Sequence, residues 1–331
     1  MKRLLIIRCG LLGDTIDSTS IITPLIEHFG EDVEIDWIVK DNVQDLFKFD
    51  HRINPITVKY SNLPLFLNFD KLKIIVKSYI KPYQAIINLE LGKKFNSIVR
   101  LSNSDIKVGM PYSFIPLVPG RDHRVHHQFN IVRSYFHDLN TNNAYPEIIS
   151  SNTDVSKTYN IHNEYIVLCP TNSHFKKMNY RGYRAWPLKN WQELIRKILE
   201  DTDLDIVITG TKSEMKFIDM LNINNPRIHN LCGKTDIPNL AQVMKKSVCV
   251  VANDSGAAHV AGASCRKVIA LHGPTPFHET GPYGNGNNKI IEASINMECS
   301  PCFKTDKLKK CPSNDCMINL SPEIVFNYVI R

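Results

Sequence analysis

The stretch from Ser247 to Gly284 constrains the fold more than any other part of this sequence. An apolar run, Ser247 to Val251, breaks into Ala252-Asn253-Asp254-Ser255-Gly256-Ala257-Ala258-His259. A second run, Lys267 to Leu271, leads into His272-Gly273-Pro274-Thr275 and Gly281-Pro282-Tyr283-Gly284. Short continuous apolar runs bounded by turn residues predict strands buried on both faces, as in a parallel sheet. The small residues between the runs predict a helix, with Asp254 or Ser255 placed to cap it. The free N–H groups of its first turn and the positive end of its dipole predict an anion site. Gly256 and Ala257 let a ligand approach the backbone, and Asp254 and His259 add side chains of opposite character about one turn apart. An ordinary strand-to-helix turn can carry the same four residues, so Asn-Asp-Ser-Gly alone does not decide.

The rest of the chain repeats the alternation. Strands are expected at Leu4 to Ile7, Glu34 to Val39, Ala85 to Asn88 and Ile106 to Gly109, with a helix over Ile16 to Phe29. In the second half they fall at Tyr165 to Cys169 and Asp205 to Thr209, with helices through Trp191 to Leu199 and from about Ser213. This pattern predicts α/β domains with helices on both faces of parallel sheets. A polar, aperiodic stretch from Ser150 to Asn163 reads as the linker between two such domains, 1–155 and 160–320, with 321–331 a final helix. A length of 331 residues suits two cores.

Hydrophobic residues make up 43% and charged residues 22%, the balance of a globular rather than a disordered chain. No apolar run approaches the roughly 20 residues that cross a bilayer, and Leu4 to Ile7 is too short for a signal-peptide core. A cytoplasmic location is therefore expected. The net charge of +7 points to acidic partners. Leu72, Ile75, Val76, Tyr79 and Ile80 have helical spacing among lysines, which fits a helix packed on its sheet with solvated lysines, or one resting on anionic lipid. No nucleic-acid-binding signature is present, so no nucleic-acid partner is expected. Arg8-Cys9-Gly10-Leu11-Leu12-Gly13 lacks the glycine spacing of a dinucleotide fingerprint, which counts against a dehydrogenase.

Nine cysteines divide into two groups. Cys9, Cys169, Cys232, Cys249 and Cys265 lie in or beside apolar segments and read as buried thiols of a reducing compartment. Cys299-x2-Cys302-x8-Cys311-x4-Cys316 sits in a segment broken by Pro301, Pro312 and Ser313. Two close pairs of this kind fit four thiolates around a structural zinc or iron, or four thiols left free or in disulfides.

Several motifs, in order along the chain, resemble the signature of glycosyltransferase family nine, the bacterial ADP-heptose:lipopolysaccharide heptosyltransferases. Leu11-Leu12-Gly13-Asp14 resembles the family's Leu-Gly-Asp loop, and Ala185-Trp186-Pro187 its Trp-Pro element. Asn230-Leu231-Cys232-Gly233-Lys234-Thr235 resembles its Asn-Leu-x-Gly-Lys-Thr turn, and the segment from Asn253 to Gly284 carries the remainder. The likeness runs from residue 1 to about 317. It implies the GT-B architecture, two doubly wound Rossmann-like domains facing across a cleft, the final helix returning to the first domain. It implies an inverting transfer of heptose from ADP-heptose to an anionic lipopolysaccharide core at the inner membrane surface.

Such a transfer needs a base for the acceptor hydroxyl and a stabiliser for the leaving diphosphate. The resemblance assigns the base to Asp14, with Asp17 as rival; helix capping is the alternative role for Asp14. For the donor it implies Thr171, Asn172, Ser173, Arg184, Glu214, Thr235, Asp254, Ser255, Gly256 and His259. Arg184 stands where the family often has lysine, and Lys176, Lys177 and Arg181 are competitors for its role. Trp186 reads as a packing anchor. Asp203-Leu204-Asp205 has the Asp-x-Asp form of a metal-dependent transferase but precedes a strand, so it reads as a turn and no catalytic metal is expected. Arg121, Arg124, His126 and His127 are candidates for an anionic acceptor, each also readable as a surface charge. A serine or threonine of a protein acceptor, or a noncatalytic nucleotide-sugar binding protein, are the rival readings.

Overall fold

The computed structural model describes residues 2–59, 63–118, 120–172, 183–222 and 224–331. The chain divides into two units, Met1–Ile149 and Ser150–Arg331. In the first, β1 (Arg3–Ile7), β2 (Glu34–Val39), β3 (Ile53–Thr57), β4 (Tyr83–Asn88) and β5 (Ser104–Gly109) form a parallel sheet in the order β3-β2-β1-β4-β5. In the second, β6 (Tyr165–Cys169), β7 (Asp205–Ile208), β8 (Ile228–Asn230), β9 (Val250–Asn253), β10 (Lys267–Leu271) and β11 (Lys289–Ala293) are also parallel, in the order β11-β10-β9-β6-β7-β8. Both are doubly wound, as expected. In each, strand order reverses once, between β1 and β4 and between β6 and β9, and ligands of such sheets bind outside the strand ends at that crevice.

Leu4 to Ile7 and Val250 to Ala252 are fully buried, which is why continuous apolar runs there read correctly as central strands. Three strands escaped the sequence reading. β3 contains Pro55, tolerated because β3 is an edge strand; β8 is three residues long, and β11 is the opposite edge of its sheet. The helix expected over Ile16 to Phe29 is two, Leu12–Thr19 and Ile22–Phe29. Hydroxyls of Ser18, Thr19 and Ser20 donate to the carbonyls of Asp14, Ile16 and Asp17, and Pro24 has no N–H to continue the ladder.

The stretch read as a linker is bonded into the second unit. The Ser151 hydroxyl (2.7 Å) and the Thr153 hydroxyl (2.6 Å) both donate to Asn239 Oδ1, on the helix Ile237–Lys246. Residues 154–160 include a short helix, Val155–Tyr159, capped by Asp154. The boundary therefore falls at 149/150 rather than 155–160. The last helix, Pro322–Ile330, also differs from expectation. It belongs to the second unit, where Val325, Phe326 and Val329 join the core built on the helix Leu188–Asp201.

Candidate functional site

In the first unit the crevice is built by the loops after β1 and β4. Asp14 lies in the first turn of Leu12–Thr19, and its Oδ2 accepts from the Leu11 N–H at 3.2 Å. The capping role is thus present, but the other oxygen does something else. Asp14 Oδ1 accepts from Arg8 at 3.1 Å and from Arg124 at 2.9 Å, with a quarter of the Asp14 side chain exposed. A Cβ at position 10 would lie 2.7 Å from the Asp14 Cβ, so glycine there makes room for the carboxylate. Asp17, the rival base, is 1% exposed and has no access to a substrate.

Arg8 and Glu90 were not singled out from the sequence. Arg8 follows the last residue of β1 and donates to the Leu89 carbonyl at 3.3 Å, and its guanidinium lies 3.7 Å from Glu90. Glu90 Oε1 accepts from the Cys9 N–H at 2.8 Å. Burial, reinforced by Glu90, pushes the Cys9 thiol up to about 11, so it stays protonated and is no nucleophile at neutral pH. Of the acceptor candidates, Arg124 is joined to Asp14. His127 is buried with Nε2 2.9 Å from the Ile115 carbonyl, a tie within the fold. His126 lies on the exposed face of Arg124–Arg133, edge-on to Phe129, and Arg121 is exposed in the preceding turn.

In the second unit the crevice is built by the loops after β6 and β9. Thr171 and Asn172 follow β6 and are buried there. Ser173, with Lys176, Lys177 and Arg181, lies outside the described residues. Asn253 fastens the floor, donating to the Pro170 carbonyl at 2.6 Å and accepting from the Trp186 N–H at 3.2 Å. Trp186 is the anchor expected of it, 1% exposed, with Nε1 donating to the Leu320 carbonyl at 2.8 Å.

Asp254 does not cap the helix Gly256–Ser264. Its Oδ2 accepts from Arg184 at 3.1 Å and from the Thr275 hydroxyl at 2.6 Å. Ser255 holds the N-cap position, yet among the described residues its side chain makes no cap bond and its buried Oγ has no partner. The Nε of Arg184 is likewise buried without one. Burial pushes the Asp254 carboxyl up, but His272, Arg184 and the Thr275 hydroxyl outweigh it and hold the group below its ordinary value. His272, given no role by the sequence, is 1% exposed, with Nδ1 3.3 Å from the Thr275 hydroxyl. Burial lowers its pKa against the opposing pull of Asp254 and Glu292. Since Thr275 gives its proton to Asp254, Nδ1 of a neutral His272 is the donor to Thr275. His259 lies on the first turns of the helix, half-buried, close enough to His272 to disfavour its protonation.

Glu214 and Thr235 sit on the neighbouring loops. Glu214 Oε2 accepts from the Thr211 N–H at 2.7 Å in a capping box. The Gly233 N–H donates to the Gly210 carbonyl at 2.8 Å, which sets the turn before Thr235 against the Gly210–Thr211 loop. A Cβ on Gly233, at φ +70°, would come 3.0 Å from Lys212 Cα. Asp205 opens β7, buried and bonded by His229 at 2.9 Å, at the N-terminal edge of the sheet. That geometry commits the Asp-x-Asp carboxylate to the fold.

The four closely spaced cysteines divide by exposure. Cys299 and Cys311 are exposed while Cys302 and Cys316 are buried, and all are free thiols. Mutual repulsion among the four raises the thiols of Cys302 and Cys316 after burial, so they share a neighbourhood. Among the described residues, however, no three His, Cys, Asp or Glu side chains converge as metal ligands do. Cys316 packs inward, where its Sγ would lie 2.8 Å from a Cβ on Gly273, and the Cys302 and Phe303 N–H groups donate to the Pro274 carbonyl. The segment instead supports the crevice: Phe303 stacks on Tyr183 at 5.8 Å, and the Arg184 guanidinium lies over both rings. Of the other five, Cys169, Cys232, Cys249 and Cys265 are buried as expected and Cys9 is partly exposed.

Two crevices with paired arginine and aspartate, on two doubly wound sheets, accord with the family model for glycosyltransferase family 9 (heptosyltransferase), which matches residues 107–312. The chain belongs to that family. It is 34% identical over 128 residues to lipooligosaccharide heptosyltransferase 2 of Campylobacter jejuni subsp. jejuni serotype O:2, across 37% of this chain and 38% of that protein. The chain thus spans little more than a third of the length of that relative in the match. Two solved structures share the GT-B fold over nearly their whole length. One is a family 9 glycosyltransferase from Veillonella parvula, with TM-score 0.80, 16% identity, and 99% and 97% of the two chains covered. The other is E. coli ADP-heptose lipopolysaccharide heptosyltransferase II, with TM-score 0.75, 18% identity, and 100% and 98% covered.

Proposed function

We propose that the protein is an inverting, metal-independent heptosyltransferase that uses ADP-heptose as donor and an anionic lipopolysaccharide core as acceptor. The observation that carries the reading is the start of the helix Gly256–Ser264. There, among the described residues, the buried Ser255 hydroxyl has no partner, and Arg184 is held on Asp254 with its Nε unsatisfied. A diphosphate would satisfy such donors and the first-turn N–H groups at once. We assign Thr171, Asn172, Gly256 and His259 to the same diphosphate, and Glu214 and Thr235 to the nucleoside.

In the first unit, Asp14 takes the proton of the acceptor hydroxyl as that oxygen bonds to the anomeric carbon of heptose. The bond from that carbon to the diphosphate oxygen breaks, and ADP leaves with the electron pair, its charge met by Arg184 and the helix start. An anionic group on the acceptor would draw Arg8 and Arg124 from Asp14 Oδ1, leaving that oxygen to the hydroxyl. Incubation with ADP-heptose and a panel of core oligosaccharides and proteins, with products read by mass, tests the reading. Heptosylated core is the expected product; a heptosylated serine or threonine would replace the acceptor, and no product with any member would remove the activity.

The proposed structural metal rests on the four cysteines sharing one neighbourhood. Elemental analysis of protein prepared without chelator tests it: about one zinc or iron per chain supports it. Four freely titratable thiols with no metal would make these cysteines packing residues.

A further inference from the structure

The helix Phe69–Ile80 has two apolar faces, and only one is used by the fold. Ile74 and Ile75 are buried with Ser78 and with the stem of Lys71, whose Nζ donates to the Lys94 carbonyl at 2.9 Å. The residues read from the sequence as a single apolar face therefore divide: Ile75 faces the core, whereas Val76, Tyr79 and Ile80 do not. Phe69 and Ile80 are each 81% exposed and Phe66 is 73% exposed; Leu67, Val76 and Tyr79 are also exposed. Phe69, Lys73, Val76 and Ile80 follow i, i+4, i+7, i+11, a single stripe about 17 Å long.

This surface is held in place. Asn68 caps the helix by accepting from the Lys71 N–H and donates to the Lys59 carbonyl at 3.0 Å, which fixes the turn bearing Phe66 and Leu67. Because β3 ends at Thr57 and the helix returns antiparallel before β4, that turn lies at the strand C-terminal edge of the first unit. Asp14 lies at the same edge, after β1.

The stripe carries Lys73, with Lys77 beside it, and no carboxylate. Asp70 is on another face, accepting from the Lys59 N–H at 2.8 Å. A second copy of this chain placed on the stripe by a twofold would set lysine against lysine. An anionic bilayer surface meets both requirements, taking large apolar side chains below its headgroups and ammonium groups at them.

We infer that Phe66, Leu67 and the Phe69–Ile80 stripe dock the first unit on an anionic phospholipid surface. The inference goes beyond the transfer reading and needs neither donor nor acceptor. It is tested by sedimenting the full chain with phosphatidylcholine vesicles and with vesicles that also contain phosphatidylglycerol. Binding to the anionic vesicles is expected, weakened about fivefold by each of Lys73→Gln and Lys77→Gln. Phe69→Ser with Ile80→Ser should weaken it tenfold or more, and circular dichroism should show the fold unchanged because both side chains are outside the core. If that pair fails to fold, Phe66→Ser in the capped turn provides the same comparison. Wild-type protein left in the supernatant with anionic vesicles at low salt would overturn the proposal, as would equal binding by variants and wild type. A concentration-dependent dimer abolished by the same substitutions, without vesicle binding, would assign the face to a second copy.

Discussion

Each unit places an arginine–aspartate pair at the crevice of its sheet, after β1 in the first and after β9 in the second, yet the pairs are built for opposite duties. In the first, Asp14 is a quarter exposed, and two arginines meet one of its oxygens. In the second, Asp254 is buried, tied by Thr275 as well as by Arg184, and backed by His272. An exposed carboxylate can exchange partners with water or substrate at little cost, whereas a buried one cannot lose its cation without leaving a charge uncompensated. Asp14 is thus suited to react, and Asp254 to hold Arg184 where an anion would meet it.

The largest expected effect breaks the comparison on the side of stability. Asp254→Ala removes one partner of a buried pair and should cost about 3–5 kcal/mol, read by urea denaturation, whereas Asp14→Ala should cost less than about 1 kcal/mol. Equal losses would mean the two pairs are not different in kind. Activity should reverse the order: Asp14→Asn is expected to lower turnover about 100-fold or more with donor affinity unchanged. Wild-type turnover would take the base away from Asp14.

Smaller in scale is the donor effect. ADP at about 100 times its Kd would add about 2.7 kcal/mol to stability, and Arg184→Ala should remove most of the resulting rise in Tm. A larger rise with UDP or GDP than with ADP would overturn the donor. The smallest effect concerns pH. His272 is buried with its pKa lowered, so below the unfolded value near 6.5 the unfolded chain binds a proton that the folded chain refuses. Stability should therefore fall as pH drops from about 6.5 toward the folded value, and His272→Phe should flatten that slope. An unchanged slope would show that the ring does not stay neutral in the fold.

What the sequence could and could not show follows from how far apart the interacting residues lie. Central strands such as β1 and β9 are legible because burial on both faces writes an unbroken apolar run. Edge strands need no such run, and β3, β8 and β11 were missed. Asp14 and Asp254 stand in recognisable loops, but which residues they pair with is not written in the spacing. Arg124 is 110 residues from Asp14, and Thr275 is 21 from Asp254 across a strand. Helical periodicity located the apolar residues of Phe69–Ile80 without saying which face the sheet would cover. The cysteine spacing likewise indicated proximity, while the inward packing of Cys316 depends on the absence of a side chain at Gly273.

The second crevice is completed by residues more than 100 positions beyond Arg184. Phe303 roofs Arg184, the Leu320 carbonyl anchors Trp186, and Val325, Phe326 and Val329 close the core beneath. Contacts this distant in sequence form late, because the entropy of closing long loops must be met before they stabilise anything. During synthesis, then, every residue of the first unit precedes the contacts that complete the second crevice. The Arg184 crevice of the second gains these supports only after the helix Pro322–Ile330 has been made, so a product that stops before residue 303 lacks all of them.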